Sequence, residues 1–208
     1  MASDITQPRY TREEPTPEAG PAPAERRKSW LNLPSEISAS LLAITTVPIS
    51  NGSPHFPPWA VFISWAGTFA AGGPKRDVIR KILPVQVLGS FTAMLIVLLF
   101  NEASHHWTGT SFTIAQMVIL FCLNSAMILV GRLVPALSFV PGMFFGFASY
   151  FATLFGGFGP TPGNLMVALG ATILMNAIGP AYAWVTANLG AHHHAKVAPI
   201  GRAQQAIS

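Results

Sequence analysis

The sequence predicts an all-α membrane protein with six transmembrane helices, and three observations support that fold class. Half of the 208 residues are hydrophobic and 10% are charged, whereas soluble domains carry about 25% charged residues. The apolar residues are concentrated in six runs that are separated by short polar loops. The charged residues lie almost entirely outside those runs, so each run has the composition of a helix surrounded by lipid.

Each of the six runs is as long as a membrane crossing requires, or nearly so. A spanning helix needs about 20 apolar residues to cross a hydrocarbon layer of about 30 Å. The second run is short and in a soluble protein would be a core helix, but its position before a basic loop indicates a crossing. The runs cover residues 33–50, 58–73, 82–100, 112–130, 137–158 and 164–188.

The basic residues determine the expected orientation. With six crossings, all twelve Lys and Arg residues fall on one side of the membrane. Positively charged loops stay in the cytoplasm, so both termini are expected there. Residues 1–28 then form a disordered cytoplasmic tail, 29–190 the transmembrane domain and 191–208 a cytoplasmic C-terminal tail. The basic residues expected at the membrane surface are Arg26, Arg27, Lys28, Lys75, Arg76, Arg80 and Lys81.

The fifth run has the features of a functional membrane helix. Pro141 and Gly142 interrupt the helical pattern near its start, and broken membrane helices are tolerated where their backbone lines a cavity or is buried in protein. Gly142, Gly146 and Ser149 are spaced by four and three residues, so they share one helix face. A strip of small residues lets another helix approach closely, and we expect it to be a helix-packing surface.

A weak internal similarity connects the second and fifth runs. Residues 63–74 and 137–160 share an order of Ser, aromatic and Gly residues and both end in a Gly-Gly pair. A three-helix unit that is repeated once must be inverted across the membrane, and interrupted helices at matching positions of inverted halves mark a central path. The alternative is that the match reflects how common Ser, Gly and aromatic residues are in membrane helices.

Inverted halves would bring polar and aromatic side chains together near the midplane. Ser64 and Ser138 would donate hydrogen bonds to a passing solute, and the rings of Trp65 and Phe139 would set the width of the path. The alternative for the rings is packing against neighbouring helices or lipid. The amides in the fourth and sixth runs either make interhelical hydrogen bonds or line the same path. The predicted path comprises Ser64, Trp65, Asn124, Ser138, Phe139, Pro141, Gly142 and Asn176.

The segments Ser64–Gly67 and Ser138–Gly146 are similar to motifs of the YcdZ-like family of small bacterial inner-membrane proteins. In that family a Ser-Trp-Ala-Gly segment precedes a Gly-Gly turn, and a later Ser-Phe-Val-Pro-Gly segment leads into small and aromatic residues. The similarity covers about residues 35–190, and the N-terminal tail departs from the pattern. The family is grouped as a domain of unknown function. The resemblance therefore implies an architecture and a bacterial inner-membrane location, but no activity.

The sequence contains no motif for enzymatic or cofactor chemistry. No nucleotide-binding or nucleophile pattern is present, and no acid/base pair is available, so we expect neither an enzyme nor a bound cofactor. Glu102, His105 and His106 offer metal-ligating side chains, as does the His tract at 192–194. Their loop and tail positions favour solvated side chains, so no metal site is predicted. No nucleic-acid partner is expected.

The function classes are separated by the absence of ionisable residues from the middle of every run. Coupled transporters usually hold such residues deep in the membrane. We therefore expect a passive channel or facilitator for a small uncharged solute or gas of the urea, amide or ammonia class, which needs only suitable width and a few hydrogen-bonding groups. The alternative is a non-transporting membrane subunit that binds a partner helix through the Gly146 face or a cytoplasmic protein through its basic loop. In both cases the partners include the lipid bilayer and, we expect, further copies of the chain.

Overall fold

The computed structural model describes residue 31 and residues 33–190, and each of the six predicted runs is helical there. Both predicted tails, with Arg26, Arg27 and Lys28, lie outside the described residues. The prediction of an all-α protein is confirmed. A 3-10 turn, Pro135–Leu137, connects the fifth and sixth α-helices. The α-helices are α1 (Ser35–Ile44), α2 (Thr46–Asn51), α3 (Pro58–Ala70), α4 (Arg76–His106), α5 (Gly109–Leu133), α6 (Val140–Phe155) and α7 (Leu165–Leu189).

Three of these helices are long and apolar enough to cross a membrane, where the sequence predicted six. They are α4, with 31 residues, and α5 and α7, with 25 residues each. The helices α3 and α6 have only 13 and 16 residues. The structure therefore indicates a membrane-embedded helical protein that contains both helices of full spanning length and shorter ones.

The first apolar run is divided into two helices instead of forming one. Helix α1 ends at Ile44, and α2 begins at Thr46 with Pro48 in its first turn. A proline ring collides with the carbonyl group four residues earlier, here that of Ile44, and it has no amide proton to donate. The amide of Thr45 consequently bonds to Leu42 O, at 3.1 Å, in a tightened last turn.

The starts of α6 and α7 follow from single residues. Pro141 does not interrupt α6 as predicted, because it lies in the first helical turn, where its fixed φ is suitable and its missing amide costs no hydrogen bond. Helix α7 is capped by Asn164, whose Oδ1 accepts hydrogen bonds from the amides of Met166 and Val167, both at 3.1 Å. The cap pairs amides that would otherwise lack partners at the helix start.

The core consists of two pairs of helices, each running in the same direction. Helix α6 lies along α4, with Met143 in a cluster with Val85 near one end and Leu154 in a cluster with Val97 further along. Helix α3 lies along α7 in the same way. Val61 clusters with Met175, and the ring of Trp65 meets that of Tyr182 edge to face. The two pairs are joined by contacts of α4 with α7 and of α3 with α6.

The short helices α3 and α6 end in the same type of turn. In each turn three successive amides bond back to the helix carbonyls with the same spacing. The second residue of each turn is a glycine with positive φ, 111° at Gly72 and 70° at Gly157, which glycine adopts without steric cost. When the two turns are aligned, Ser64 of α3 and Ser149 of α6 occupy equivalent positions. The donors are Ala71, Gly72 and Gly73 after α3, and Gly156, Gly157 and Phe158 after α6.

Candidate functional site

A cavity of about 170 Å³ lies between α4 and α7. Gln86 and Asn176 are among its lining residues, but they are only 1% and 2% exposed, so their amide groups lie behind a wall that is almost entirely apolar. Val87 and Ala177 are exposed and mark its opening. Each helix contributes three lining residues, and the spacing along the chain is the same for every pair. The pairs are Leu83 with Ile173, Gln86 with Asn176 and Val87 with Ala177.

The amides in this cavity are incompletely hydrogen-bonded. Gln86 Oε1 accepts from the hydroxyl of Ser64 at 3.0 Å, and the same hydroxyl lies 2.6 Å from the backbone oxygen of Asn176. Gln86 Nε2 and both side-chain amide atoms of Asn176 have no partner. Because the Ser64 hydroxyl contacts only one amide atom of Gln86, the other amide atom stays unpaired whichever way the amide is turned.

Unpaired amides make this cavity the candidate site. A buried polar group without a partner costs about 1–3 kcal/mol, and more than 90% of buried polar groups in proteins are paired. Three unpaired atoms on two neighbouring side chains are therefore unusual, and they make this part of the core the candidate site. The cavity is uncharged, because no ionisable residue is among its lining residues.

Sequence reasoning placed Asn176 in the site but missed Gln86, although a signal was present. Each amide residue is followed three residues later by a glycine, Gly89 or Gly179. Both glycines lie against a neighbouring helix. A Cβ on Gly89 would be 1.8 Å from Met143 O, and one on Gly179 would be 2.4 Å from Ser64 Cβ. The repeated spacing of amide and glycine marks matching faces of α4 and α7.

Ser64 lies at the edge of this site, but Trp65 does not contribute to it. Ser64 is fully buried and joins α3 to both α4 and α7 through its hydroxyl contacts. Trp65 is 7% exposed and stacks on Phe62, with ring centroids 6.0 Å apart. The ring thus packs against its neighbours, as in the alternative considered for the sequence.

The predicted meeting of Ser64 with Ser138 does not occur. Ser138 is exposed in the turn that precedes α6, while Ser64 is buried in the middle of α3. Phe139, the residue before α6, packs in a cluster with Met143 on that helix. The sequence prediction that paired Ser64 with Ser138 was wrong. When the turns that end α3 and α6 are aligned, the residue equivalent to Ser64 is Ser149. Ser149 Oγ is itself buried without a partner.

Asn124 is separate from the cavity. It lies in α5, where it is half-buried and its Oδ1 has no partner. Helix α5 packs mainly against α4 and makes no extensive contact with α7. The two asparagines therefore do not belong to one site.

The strip of Gly142, Gly146 and Ser149 is buried within the chain, against α4. A Cβ on Gly146 would lie 1.9 Å from Gln86 O, and the hydroxyl of Ser90 donates to Gly146 O at 2.9 Å. A Cβ on Gly142 would lie 2.4 Å from the side chain of Val85. The partner-helix option for this face is therefore wrong, because α4 of the same chain covers it.

The charged residues that the structure describes are on the surface. Lys75, Arg76, Arg80 and Lys81 are exposed at the start of α4. Glu102 and His106 form an exposed pair at 3.3 Å one turn apart. Across residues 33–190, no three His, Cys, Asp or Glu side chains are grouped so that they could hold a metal ion.

Apolar helices of spanning length, with the charges of the described residues confined to the surface, define the chain as a helical membrane protein. A family model described as a protein of unknown function, DUF1097, matches residues 36–191. The chain belongs to this family, which confirms the resemblance to a family of unknown function. No curated protein and no solved structure matches the chain. Its function must therefore be argued from the site.

Proposed function

We propose that the protein is a passive channel or facilitator for a small uncharged polar solute. The observation that supports this function is the pair of buried, unpaired amides, Gln86 and Asn176, in the cavity between α4 and α7. Asn176 is near the middle of α7, so the cavity lies near the middle of the membrane. A neutral solute crosses there by exchanging water for protein hydrogen bonds, and no counter-charge is needed.

The proposal includes six membrane crossings, with α1 and α2 acting together and α3 and α6 as short crossings. At 1.5 Å per residue, α3 and α6 are about 20 and 24 Å long, less than the hydrocarbon thickness of about 30 Å. Each nevertheless lies along a helix of spanning length, α3 on α7 and α6 on α4. The loops that complete the crossing are tolerated at membrane depth where protein surrounds them.

The proposal also includes two inverted halves, aligned through the turns that end α3 and α6. If the two halves are equivalent, α3 corresponds to α6 and α4 corresponds to α7. The α4–α6 contact then corresponds to the α7–α3 contact. The α4–α7 and α3–α6 contacts each correspond to themselves. Residues 82–91 and 172–181 show the same succession of buried, half-buried and exposed positions. The amide pair then lies at the interface of the halves, the usual position of substrate sites in inverted-repeat transporters.

The orientation follows from the positive-inside rule. With six crossings, the exposed basic residues at the start of α4 and Arg132 at the end of α5 lie on the cytoplasmic side. Both termini lie there as well, and the membrane is the bacterial inner membrane.

The experiment is solute flux into proteoliposomes. Purified protein should raise the permeability to urea and acetamide above that of empty vesicles and of vesicles with an unrelated helical membrane protein at equal density. The rate should be proportional to the solute gradient and independent of imposed proton or sodium gradients. Permeabilities equal to both controls contradict the facilitator, and uphill accumulation contradicts its passive character.

The second candidate function is a non-transporting membrane subunit, and α5 is the observation that favours it. Only 11% of the most apolar part of α5 is buried, compared with 56% for α4. Met117 and Phe121 on this helix are 66% and 72% exposed. Such a face accepts lipid, a second copy of the chain or a partner helix. Stable co-purification of a membrane protein together with flux at control levels favours this function.

A further inference from the structure

We propose that the α4–α7 cavity and two arginines at the start of α4 together bind one anionic phospholipid. Its headgroup lies at Arg76 and Arg80, and one of its acyl chains lies in the cavity. Two independent observations carry this site: an apolar cavity that opens toward lipid, and unpaired positive charges on the same face of the same helix. The site is separate from the proposed solute path and does not depend on it.

The cavity suits a hydrocarbon chain. Its wall is almost entirely apolar, and the residues exposed at its opening, Val87 and Ala177, are aliphatic. Ala177 is the central residue of α7, so the opening faces the middle of the hydrocarbon layer. An apolar cavity of about 150 Å³ holds one benzene molecule, so this cavity holds a segment of acyl chain about six carbons long. The chain lies on the outer side of the wall that covers the amides of Gln86 and Asn176.

The arginines lie on the helix face that leads to this opening. Arg76, Arg80, Leu83 and Val87 are spaced by four, three and four residues, so they follow one face of α4. Leu83 and Val87 line the cavity. Along the helix axis Arg76 is about 16 Å from Val87, which is close to the half-thickness of the hydrocarbon layer, about 15 Å. Arg80 is about 10 Å from Val87, and its long side chain extends the charge toward the same boundary. A lipid whose chain reaches Val87 therefore has its phosphate at the depth of the arginines.

The two arginines are exposed and have no ionic partner among the described residues. Residues 75–81 carry four basic side chains and one carboxylate, that of Asp77. The side chains of Arg76 and Arg80 make no ion pair and no hydrogen bond within the part of the chain that the structure describes. Guanidinium groups pair with phosphate through parallel hydrogen bonds, so the phosphate diester of a phospholipid supplies the missing partner.

The adjacent end of α7 also has the character of a membrane boundary. Helix α3 runs parallel to α7 and turns back into α4, so the end of α7 lies beside the start of α4. Trp184 follows Ala177 by seven residues, which places it two turns along the same helix face toward that end. Its side chain is 42% exposed. Tryptophan is enriched at the level of the lipid headgroups, which agrees with a headgroup at this end of the cavity.

The charge requirement is tested by native mass spectrometry of the purified, delipidated protein in detergent. The protein is titrated with palmitoyl-oleoyl phosphatidylglycerol, which is anionic, or with the zwitterionic phosphatidylcholine that has the same chains. The first phosphatidylglycerol should bind at least tenfold more tightly than the first phosphatidylcholine, because each arginine near an anionic headgroup contributes about fivefold. Arg76→Gln combined with Arg80→Gln should abolish this preference. The charge-matched control, Lys81→Gln combined with Arg132→Gln, removes two charges at the same end of the molecule but away from the cavity face, and it should retain the preference.

The chain requirement is tested by filling the cavity. Ala177→Phe should weaken phosphatidylglycerol binding severalfold, and Val87→Phe, on the other side of the opening, is the second variant. The matched control is Leu174→Phe, because Leu174 is exposed on the same helix but does not line the cavity. Glycerophosphoglycerol, the headgroup without acyl chains, should not displace the bound lipid. Thermal unfolding midpoints identify which variants remain folded.

Equal affinity for the two lipids overturns the proposal. An equal loss of preference in the arginine variant and in its charge-matched control also overturns it, because such a loss indicates a diffuse basic surface. Displacement of the lipid by glycerophosphoglycerol, or undiminished binding by the folded Ala177→Phe and Val87→Phe variants, rejects the seat of the chain in the cavity and overturns the proposal as well.

Discussion

The close approach of α4 and α6 at Gly146 allows a sharp prediction for the single substitution Gly146→Ala. The added Cβ would lie 1.9 Å from the backbone oxygen of Gln86. A backbone oxygen cannot move aside as a flexible side chain does, so α4 and α6 must separate. Separation also lengthens the hydrogen bond from Ser90 Oγ to Gly146 O, which is 2.9 Å long.

The expected magnitude combines three effects. Overpacking in a well-packed core costs about 1–3 kcal/mol, and loss of an interhelical hydrogen bond in a membrane costs about 0.6 kcal/mol. Alanine favours a helix over glycine by about 1 kcal/mol, which offsets part of the loss. We therefore expect Gly146→Ala to reduce the free energy of unfolding by about 0.5–2.5 kcal/mol.

The matched control is Gly170→Ala on α7. Gly170 is in a helix interior as well, but a Cβ there would have no atom within 4 Å. We expect this substitution to leave stability unchanged or to raise it by up to about 1 kcal/mol through helix propensity alone. Unfolding is measured by denaturant titration in detergent micelles, followed by circular dichroism. Unfolding of both variants at the same denaturant concentration would contradict the close packing of α4 and α6 at Gly146.

Three further predictions concern topology, the polar contacts and the aromatic packing. Reporter fusions in the α3–α4 and α5–α6 loops should give a cytoplasmic signal and a fusion in the α4–α5 loop should not; opposite signals from the first two loops would reject six crossings. Ser64→Ala should lower the free energy of unfolding by about 1 kcal/mol, because it removes two interhelical contacts. Ser149→Ala, which removes an unpaired hydroxyl, should be neutral or slightly stabilising, and equal effects in the same titration would contradict this difference. Trp65→Ala should lower the free energy of unfolding by on the order of 3–5 kcal/mol, more than substitution of the exposed Phe62 by alanine. An increase in solute permeability without loss of stability would instead indicate that Trp65 lines the solute path.

The distribution of hydrophobic and charged residues along the chain was sufficient to predict an all-α protein and the positions of its helices. Lipid-compatible runs and charged loops are properties of short segments, and all six predicted runs are helical in the structure. Helix ends were predictable where one residue determines them, as Asn164 does for α7. They were missed where a proline acts on a neighbouring turn, as Pro48 does at the end of α1.

The faces of the helices could not be predicted to the same extent. In a soluble helix the apolar stripe identifies the buried side, but a membrane helix is apolar on the lipid side as well. Asn124 and Asn176 are therefore equivalent in sequence, although one lies half-buried in α5 and the other lines the cavity. For the same reason Gln86 did not stand out among the polar residues within the runs.

The sequence by itself determined that this protein is a set of apolar helices with charged ends, because hydrophobicity and charge act over a single segment. Only the tertiary structure decided which residues meet. The equivalence of Ser64 and Ser149 follows from the matching turns that end α3 and α6, and the meeting of Gln86 with Asn176 depends on how α4 and α7 cross. Whether a buried amide finds a partner depends on atoms from distant segments, so the unpaired amides of the cavity became visible only in the folded chain.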